Sequence, residues 1–302
     1  MGFSLWLLAL LGVSVVASFI RRRVKYQKGL KNLKDKVVVI TGCSEGIGVS
    51  LVQQYFAQGA KVVMAARREN LLQTVKDGLP GSGQGRVLAV RCDQAVETDC
   101  KNLIDAAIAQ FGRIDALVLN ACRSMNDRWV ELPDPPVLCK QVFDVNFYGA
   151  LYLTKYALPH LTQSKGSIVS IVSLAGKQAT IRVSFYAASK AALISFYDAL
   201  RLELNEATAG VSITTCVLPL VATRTALEVA NPRIRWSAMT PEGAAREIQR
   251  AHVTRSREVV LSATGKVIAT LRPFCPALME TVFGLAMCDD LAVGIRKALL
   301  GH

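Results

Sequence analysis

The run Val37-Val38-Val39-Ile40-Thr41-Gly42-Cys43-Ser44-Glu45-Gly46-Ile47-Gly48 decides the fold of this 302-residue chain. Its first five residues are all β-branched, which predicts a strand buried on both faces, as in a parallel sheet. Ile47, Leu51, Val52 and Tyr55 then fall on one helical face, so a helix starts from Gly46 and ends near Gly59. Between strand and helix, Gly42, Gly46 and Gly48 let the backbone approach a pyrophosphate. The helix N-terminus adds unpaired N–H groups and a partial positive charge. A purely structural turn is the alternative, but the placement between buried strand and amphipathic helix favours a phosphate site that also takes in Ser44 and Ile47.

The same alternation continues along the chain. Strands are expected at Lys61 to Ala66, Val87 to Cys92, Asp115 to Asn120, Ser167 to Ser173, Val211 to Leu218 and, as a seventh, Val259 to Leu261. Cys100, Leu103, Ile104, Ala107, Ile108 and Phe111 recur at helical spacing between two of them. The pattern predicts an α/β fold, a Rossmann-like doubly wound parallel sheet of about seven strands with helices on both faces. Ligands bind such sheets beyond the carboxyl ends of the strands. Gly42, Arg67, Asp93, Asn120, Ser173 and Thr223 each lie at or just after such an end.

Hydrophobic residues make up 51% and charged residues 20%, enough for a sizeable core and too apolar for wholesale disorder. Residues 1 to 36 hold Arg21, Arg22, Arg23, Lys25, Lys28, Lys31, Lys34 and Lys36 against Asp35 alone, more than half of the net +13. No recognition spacing or aromatic–basic interleaving accompanies the excess, which argues against a nucleic-acid partner. The charge instead flanks Phe3 to Ile20, an uncharged run at the short end of what spans a bilayer. Bases follow the run rather than precede it and no small-x-small site stands before Arg21, so an uncleaved N-terminal membrane anchor is expected. Lys and Arg stay cytoplasmic, which places the domain in the cytosol on a membrane, the endoplasmic reticulum being the expected one. An amphipathic or buried N-terminal helix is the alternative. Eight scattered cysteines and three histidines lack metal-site spacing, so no metal is expected, and free thiols suit a reducing compartment. The chain thus divides into anchor and basic flank (1–23), basic linker (24–36), dinucleotide-binding catalytic domain (37–265) and apolar extension (266–302).

Tyr186-Ala187-Ala188-Ser189-Lys190 puts a phenol and an ammonium on one helical face. A free phenol, with a pKa near ~10, is a poor proton donor and acceptor at neutral pH, and a nearby ammonium lowers that value. Ser173 can hydrogen-bond a substrate oxygen as charge develops on it. The second strand ends at Ala66-Arg67-Arg68, without the acid that usually holds a ribose diol. Arg67 can meet a 2′-phosphate, so NADP(H) is favoured, with NAD(H) as the alternative because Glu45 could face the ribose. Arg68 reads as a solvated side chain.

These residues resemble the short-chain dehydrogenase/reductase family over roughly residues 35 to 265. The match covers Thr41-Gly42-x-x-x-Gly46-x-Gly48, Asp93 where the family contacts adenine, Asn120-Ala121, and Asn146 in Asp144-Val145-Asn146. Ser173, Tyr186 and Lys190 fall on its remaining catalytic positions. The resemblance implies carbonyl–alcohol interconversion with Tyr186 as general acid/base, Lys190 on the nicotinamide ribose, Asn146 on a proton-relay water and Thr223 on the carboxamide. Leu117-Val118-Leu119-Asn120 and Ser173-Leu174-Ala175-Gly176-Lys177 are similar to the membrane-anchored branch related to 11β-hydroxysteroid dehydrogenase type 1. That steroid enzyme is lumenal, whereas the flanking charges here predict the cytosol. Leu119 and Cys122 depart from the usual Asn and Gly, and Glu45 replaces a base that the NADP-preferring branch often carries.

Substrate identity is expected in Arg123 to Lys140, Lys177 to Ser184 and Arg224 to Met239, where Met125, Trp129 and Trp236 offer apolar surface and Arg182, Arg233 and Arg235 could meet a head group. A membrane-side enzyme reaches lipophilic ketones easily, so a steroid, retinoid or lipid carbonyl is expected. Val267 to Met287 is broken by Arg272, Pro273, Pro276 and Glu280, which makes a second span a poor fit. It is expected to dip into the interface or close the substrate mouth, or else to pack on the domain or at a homodimer contact. A catalytically silent nucleotide-binding membrane scaffold is the alternative function, and a basic membrane adaptor a third.

Overall fold

The structure, a computed structural model, describes residues 23–83, 85–207 and 210–287. The expected anchor at residues 3–20 lies outside the described residues, among which no helix is long and apolar enough to cross a membrane. Seven parallel strands run in the order β3-β2-β1-β4-β5-β6-β7. They are β1 (Val37–Thr41), β2 (Lys61–Ala66), β3 (Val87–Arg91), β4 (Ala116–Leu119), β5 (Ser167–Ser173), β6 (Ser212–Leu218) and β7 (Glu258–Val260). Each lies within a residue of its sequence-derived bounds.

Alternation along the strands feeds two cores, because successive side chains leave a strand on opposite faces. Val38, Ile40, Val62 and Met64 pack towards α2 (Ile47–Ala57), α3 (Glu69–Asp77) and α9 (Pro241–Val253). Val37, Val39, Val63, Ala65 and Leu117 pack towards α4 (Glu97–Phe111), α6 (Gly149–Ser164) and α7 (Ser184–Ala207). Every residue of β1 is buried, and each fully buried Val or Ile is worth about 1.5–3 kcal/mol. At the amino ends, Asp115 accepts from Val37 N at 3.0 Å and pairs with Lys36 and Arg113, fixing β1 beside β4.

On the α2/α9 side the core holds one polar line. His252 Nδ1 is 2.8 Å from the Tyr55 hydroxyl, and its Nε2 is 2.6 Å from Ser167 Oγ. Burial, with Arg255 nearby, pushes the imidazole down to about 4, so it is neutral in the folded protein near pH 7.

The segment read as a basic linker is ordered. Residues 23–31 are helical (α1), Leu33 is buried and Leu30 packs on the core. Tyr26 lies under the Arg250 guanidinium at 5.7 Å. An apolar pair three residues apart, hidden among lysines, docks the stretch against the end of α9. At the other end, α10 (Ala263–Leu271) and α11 (Pro276–Met287) flank the break that Pro273 enforces. Val267, Leu271, Phe274, Leu278 and Val282 are exposed along them at three- and four-residue spacing.

Candidate active site

The chain reverses its winding after β3, placing β4 on the free side of β1 and opening a crevice at their carboxyl ends. Asn120 Nδ2 donates to the carbonyls of Thr41 and Gly42 at 2.9 and 3.1 Å, while Thr41 Oγ1 accepts from Asn120 N and Ala121 N. This clasp commits the Asn120 amide nitrogen to the turn. Gly46 caps α2 at φ 60 with no side-chain hydrogen bond to the first helical N–H groups. A Cβ on Gly48 would sit 2.0 Å from the Gly42 carbonyl oxygen, so only glycine fits. The turn is therefore a bare cradle of N–H groups, and it fits the pyrophosphate of a dinucleotide. The Ile47 side chain belongs to the core. Cys43 is buried and donates to Ile40 O, and burial pushes its thiol up to about 12.

Ser173 ends β5 and caps a short 3-10 turn, accepting from Ala175 N at 3.2 Å. Tyr186 and Lys190 lie one turn apart on α7, with Nζ 5.8 Å from the phenol ring centroid. Burial, with Cys122 nearby, raises the phenol's pKa, and the neighbouring Ser173 offsets only part of that. The net shift is therefore upward, not the lowering expected from the ammonium. Lys190 Nζ donates to Ile171 O at 3.0 Å, and burial lowers its own pKa. Desolvation is the largest influence on the phenol.

Asn146 is buried in a π-helical turn, Asp144–Tyr148, wedged between α5 (Pro135–Phe143) and α6. Such turns inside helices are frequent at functional sites. Its Oδ1 accepts from Arg123 N, and its Nδ2 donates to Arg123 O and to Ser189 Oγ, which donates in turn to Tyr186 O. One side chain thus ties the loop after β4 to the backbone of Tyr186.

Other expected residues sit close by. Asp93 Oδ1 accepts from Ala95 N and shapes the turn into α4. Thr223 caps α8 (Arg224–Val229), accepting from Ala226 N, and its methyl lies where a Cβ on Gly46 would be, at 2.6 Å. Arg67 is exposed and makes no hydrogen bond or ion pair among the described residues. Arg68, by contrast, is not a freely solvated side chain. It donates to Ser44 Oγ and to Glu45, both at 2.9 Å. Burial pushes the Glu45 carboxyl up, but Arg68 and Arg224 outweigh it and hold it below its ordinary value.

One residue escapes the sequence reading, and a departure visible in the sequence lies beside the site. Gln94 is buried, and its Nε2 donates to Ala121 O at 3.1 Å and to Val145 O at 2.7 Å, bracing the loop after β4 against the turn carrying Asn146. Cys122 is exposed beside Tyr186 and Lys190. A lone glutamine carries no pattern, whereas the departure from glycine at 122 was a visible signal.

On the substrate side, Met125 is not surface as expected. With Val142 and Phe185 it forms a small core against which Tyr186 packs, and its sulfur accepts from Phe185 N. Trp129 meets Phe185 edge-on at 5.4 Å while remaining 57% exposed, and Trp236 is 87% exposed. Arg235 Nε donates to Ala230 O.

A family model described as short chain dehydrogenase matches residues 36–233. The 11-beta-hydroxysteroid dehydrogenase A of Sesamum indicum is 36% identical over 266 residues, covering 84% of this chain and 76% of that protein. The 11-beta-hydroxysteroid dehydrogenase-like 4A of Arabidopsis thaliana is 42% identical over 182 residues, and the match spans only 59% of its length. Among solved structures, a short chain dehydrogenase/reductase from Burkholderia phymatum in complex with NAD aligns with a TM-score of 0.73 at 23% identity, covering 82% of this chain and 96% of that one. A short chain dehydrogenase from Burkholderia cenocepacia in complex with NADP aligns at 0.71 and 21%, covering 83% and 98%.

Proposed function

The chain belongs to the short chain dehydrogenase family, and from that premise we propose that it interconverts a carbonyl and a secondary alcohol on a lipophilic substrate with NADP(H). The observation that carries this reading is the grouping of Ser173, Tyr186 and Lys190 at the same carboxyl end of the sheet as the uncapped glycine turn. A bound nicotinamide ring supplies or accepts the hydride. Tyr186 exchanges a proton with the substrate oxygen. Its raised pKa keeps the phenol protonated near neutral pH, the starting state for carbonyl reduction. Ser173, within hydrogen-bonding reach of that phenol, donates to the same oxygen as charge develops. For alcohol oxidation the phenol must shed its proton, and Lys190 is the cation placed to lower that cost. Asn146 keeps Tyr186 in place through Ser189.

Arg67, exposed and without a partner among the described residues, follows a strand that ends in Ala66 rather than an acid, which supports NADP(H) over NAD(H). The apolar stripe on α10 and α11, with Trp129 and Trp236, supports a lipophilic substrate. The hydroxysteroid names of the relatives point the same way, although the Arabidopsis match covers barely more than half of that protein. Residues 3–20 as a membrane anchor, with the domain on the cytosolic side, belong to the same proposal.

The test is carbonyl-dependent NADPH oxidation by detergent-solubilised protein, offering steroid, retinal and acylated ketones. Tyr186→Phe is expected to lower turnover by about 10²–10⁴-fold with cofactor binding retained. Wild-type protein that binds nucleotide yet turns over none of these substrates would favour the silent scaffold instead.

A further inference from the structure

Glu45 is the one acid in the phosphate turn, and it is held from two directions. Arg68, just past β2, donates to its Oε1 at 2.9 Å. From α8, Arg224 reaches Oε2 at 3.3 Å and the Thr225 hydroxyl reaches Oε1 at 3.4 Å. The same Arg68 nitrogen also donates to Ser44 Oγ at 2.9 Å. Arg68 and Glu45 are 45% and 39% exposed, so their pair is a weakly held surface one. It stands at the carboxyl ends of β1 and β2, where a dinucleotide's adenosine ribose lies in this type of sheet.

We propose that Glu45 is a displaceable counter-anion that sets cofactor preference, occupying Arg68 until a ribose 2′-phosphate takes that guanidinium from it. This rests on the reading of the turn as an NADP(H) site. A phosphate offers a guanidinium two parallel charge-assisted bonds and outcompetes a half-exposed carboxylate. Ser44, an acceptor towards Arg68, has a hydroxyl hydrogen free to donate to a phosphate oxygen. Displaced Glu45 is not stranded, because Arg224 and Thr225 still hold it from α8. Glu45 therefore weakens NADP(H) binding and leaves NAD(H) binding alone. An acid gripping the ribose diol would do the reverse.

The experiment measures NADPH and NADH dissociation constants, by nicotinamide fluorescence, on the full chain in detergent. Glu45→Gln is expected to tighten NADPH about fivefold, the most an exposed ion pair is worth, with NADH unchanged within about twofold. Arg68→Gln is expected to weaken NADPH about tenfold, and in the double variant Glu45→Gln no longer helps. Both positions are solvent-facing, and unchanged melting temperatures check that the fold is intact. Selective loss of NADH affinity in Glu45→Gln, or an unchanged NADPH/NADH ratio, overturns the inference while leaving the functional reading intact. Binding of neither nucleotide to folded wild-type protein overturns both.

Discussion

Lowering the pH from 7.5 to 5 is expected to destabilise this protein through one residue, His252. Its imidazole has a depressed pKa of about 4 in the fold against 6.5 when free, because it is buried between Tyr55 and Ser167 with Arg255 nearby. The unfolded chain takes up a proton as pH falls through 6.5, and the folded one does not until about 4. The contribution is therefore fully present above 6.5 and is lost between 6.5 and 4. Linkage gives a loss of about 2 kcal/mol by pH 5, approaching ~3 kcal/mol below pH 4, with a slope of at most about 1.4 kcal/mol per pH unit. That is a large share of the ~5–15 kcal/mol that holds a domain together. The carboxylates of Glu45 and Asp115 are held below their ordinary values, so their own losses fall at lower pH and leave this window to His252. Urea titrations at pH 7.5, 6.5, 5.5 and 5.0 measure the slope. His252→Gln lowers stability throughout but flattens the dependence between pH 6.5 and 5, because nothing there titrates. A flat wild-type profile, or equal slopes in both proteins, would refute the reasoning.

Gly48→Ala forces a methyl to 2.0 Å from the Gly42 carbonyl oxygen. It should cost ~1–3 kcal/mol of stability and weaken nucleotide binding by more than about tenfold; calorimetry reads both, and unchanged affinity would exclude the turn as the phosphate site. Gln94→Leu strips the donor from Ala121 O and Val145 O. It is expected to lower kcat by about tenfold with the KM for nucleotide little changed, whereas a parallel rise in KM would mean that Gln94 serves binding instead. N-ethylmaleimide should inactivate the enzyme through Cys122, exposed beside Tyr186 and Lys190, and bound nucleotide should slow the loss. Cys122→Ser should resist; equal sensitivity would shift the modification to another thiol such as exposed Cys275.

The parallel sheet was legible because strands buried on both faces show unbroken apolar or β-branched runs, as in Val37–Thr41 and Lys61–Ala66. The spacing of Tyr186 and Lys190 was legible because a helix alone sets it. Partnerships made across strand ends were not. Arg68 finds Glu45 only when β1 and β2 lie side by side, and Gln94 gains meaning only when two distant carbonyls converge on its amide. The raised phenol pKa was hidden for a related reason. Sequence shows an ammonium four residues away, but not that Ile171 O draws it aside or how much water the fold removes.

The strand order that opens the crevice also imposes a timetable on synthesis. β1 is the first of these seven strands to be made, and its second neighbour, β4, ends only at Leu119. At ~5–20 residues per second, the ~80 residues between Thr41 and Leu119 take on the order of ten seconds to emerge. During that interval β3, β2 and β1 can pair, but one edge of β1 stays open, in a strand with every residue buried in the finished protein. The reversal that gives a ligand somewhere to bind thus leaves the nascent three-strand sheet with an adhesive edge, sealed only when β4 arrives.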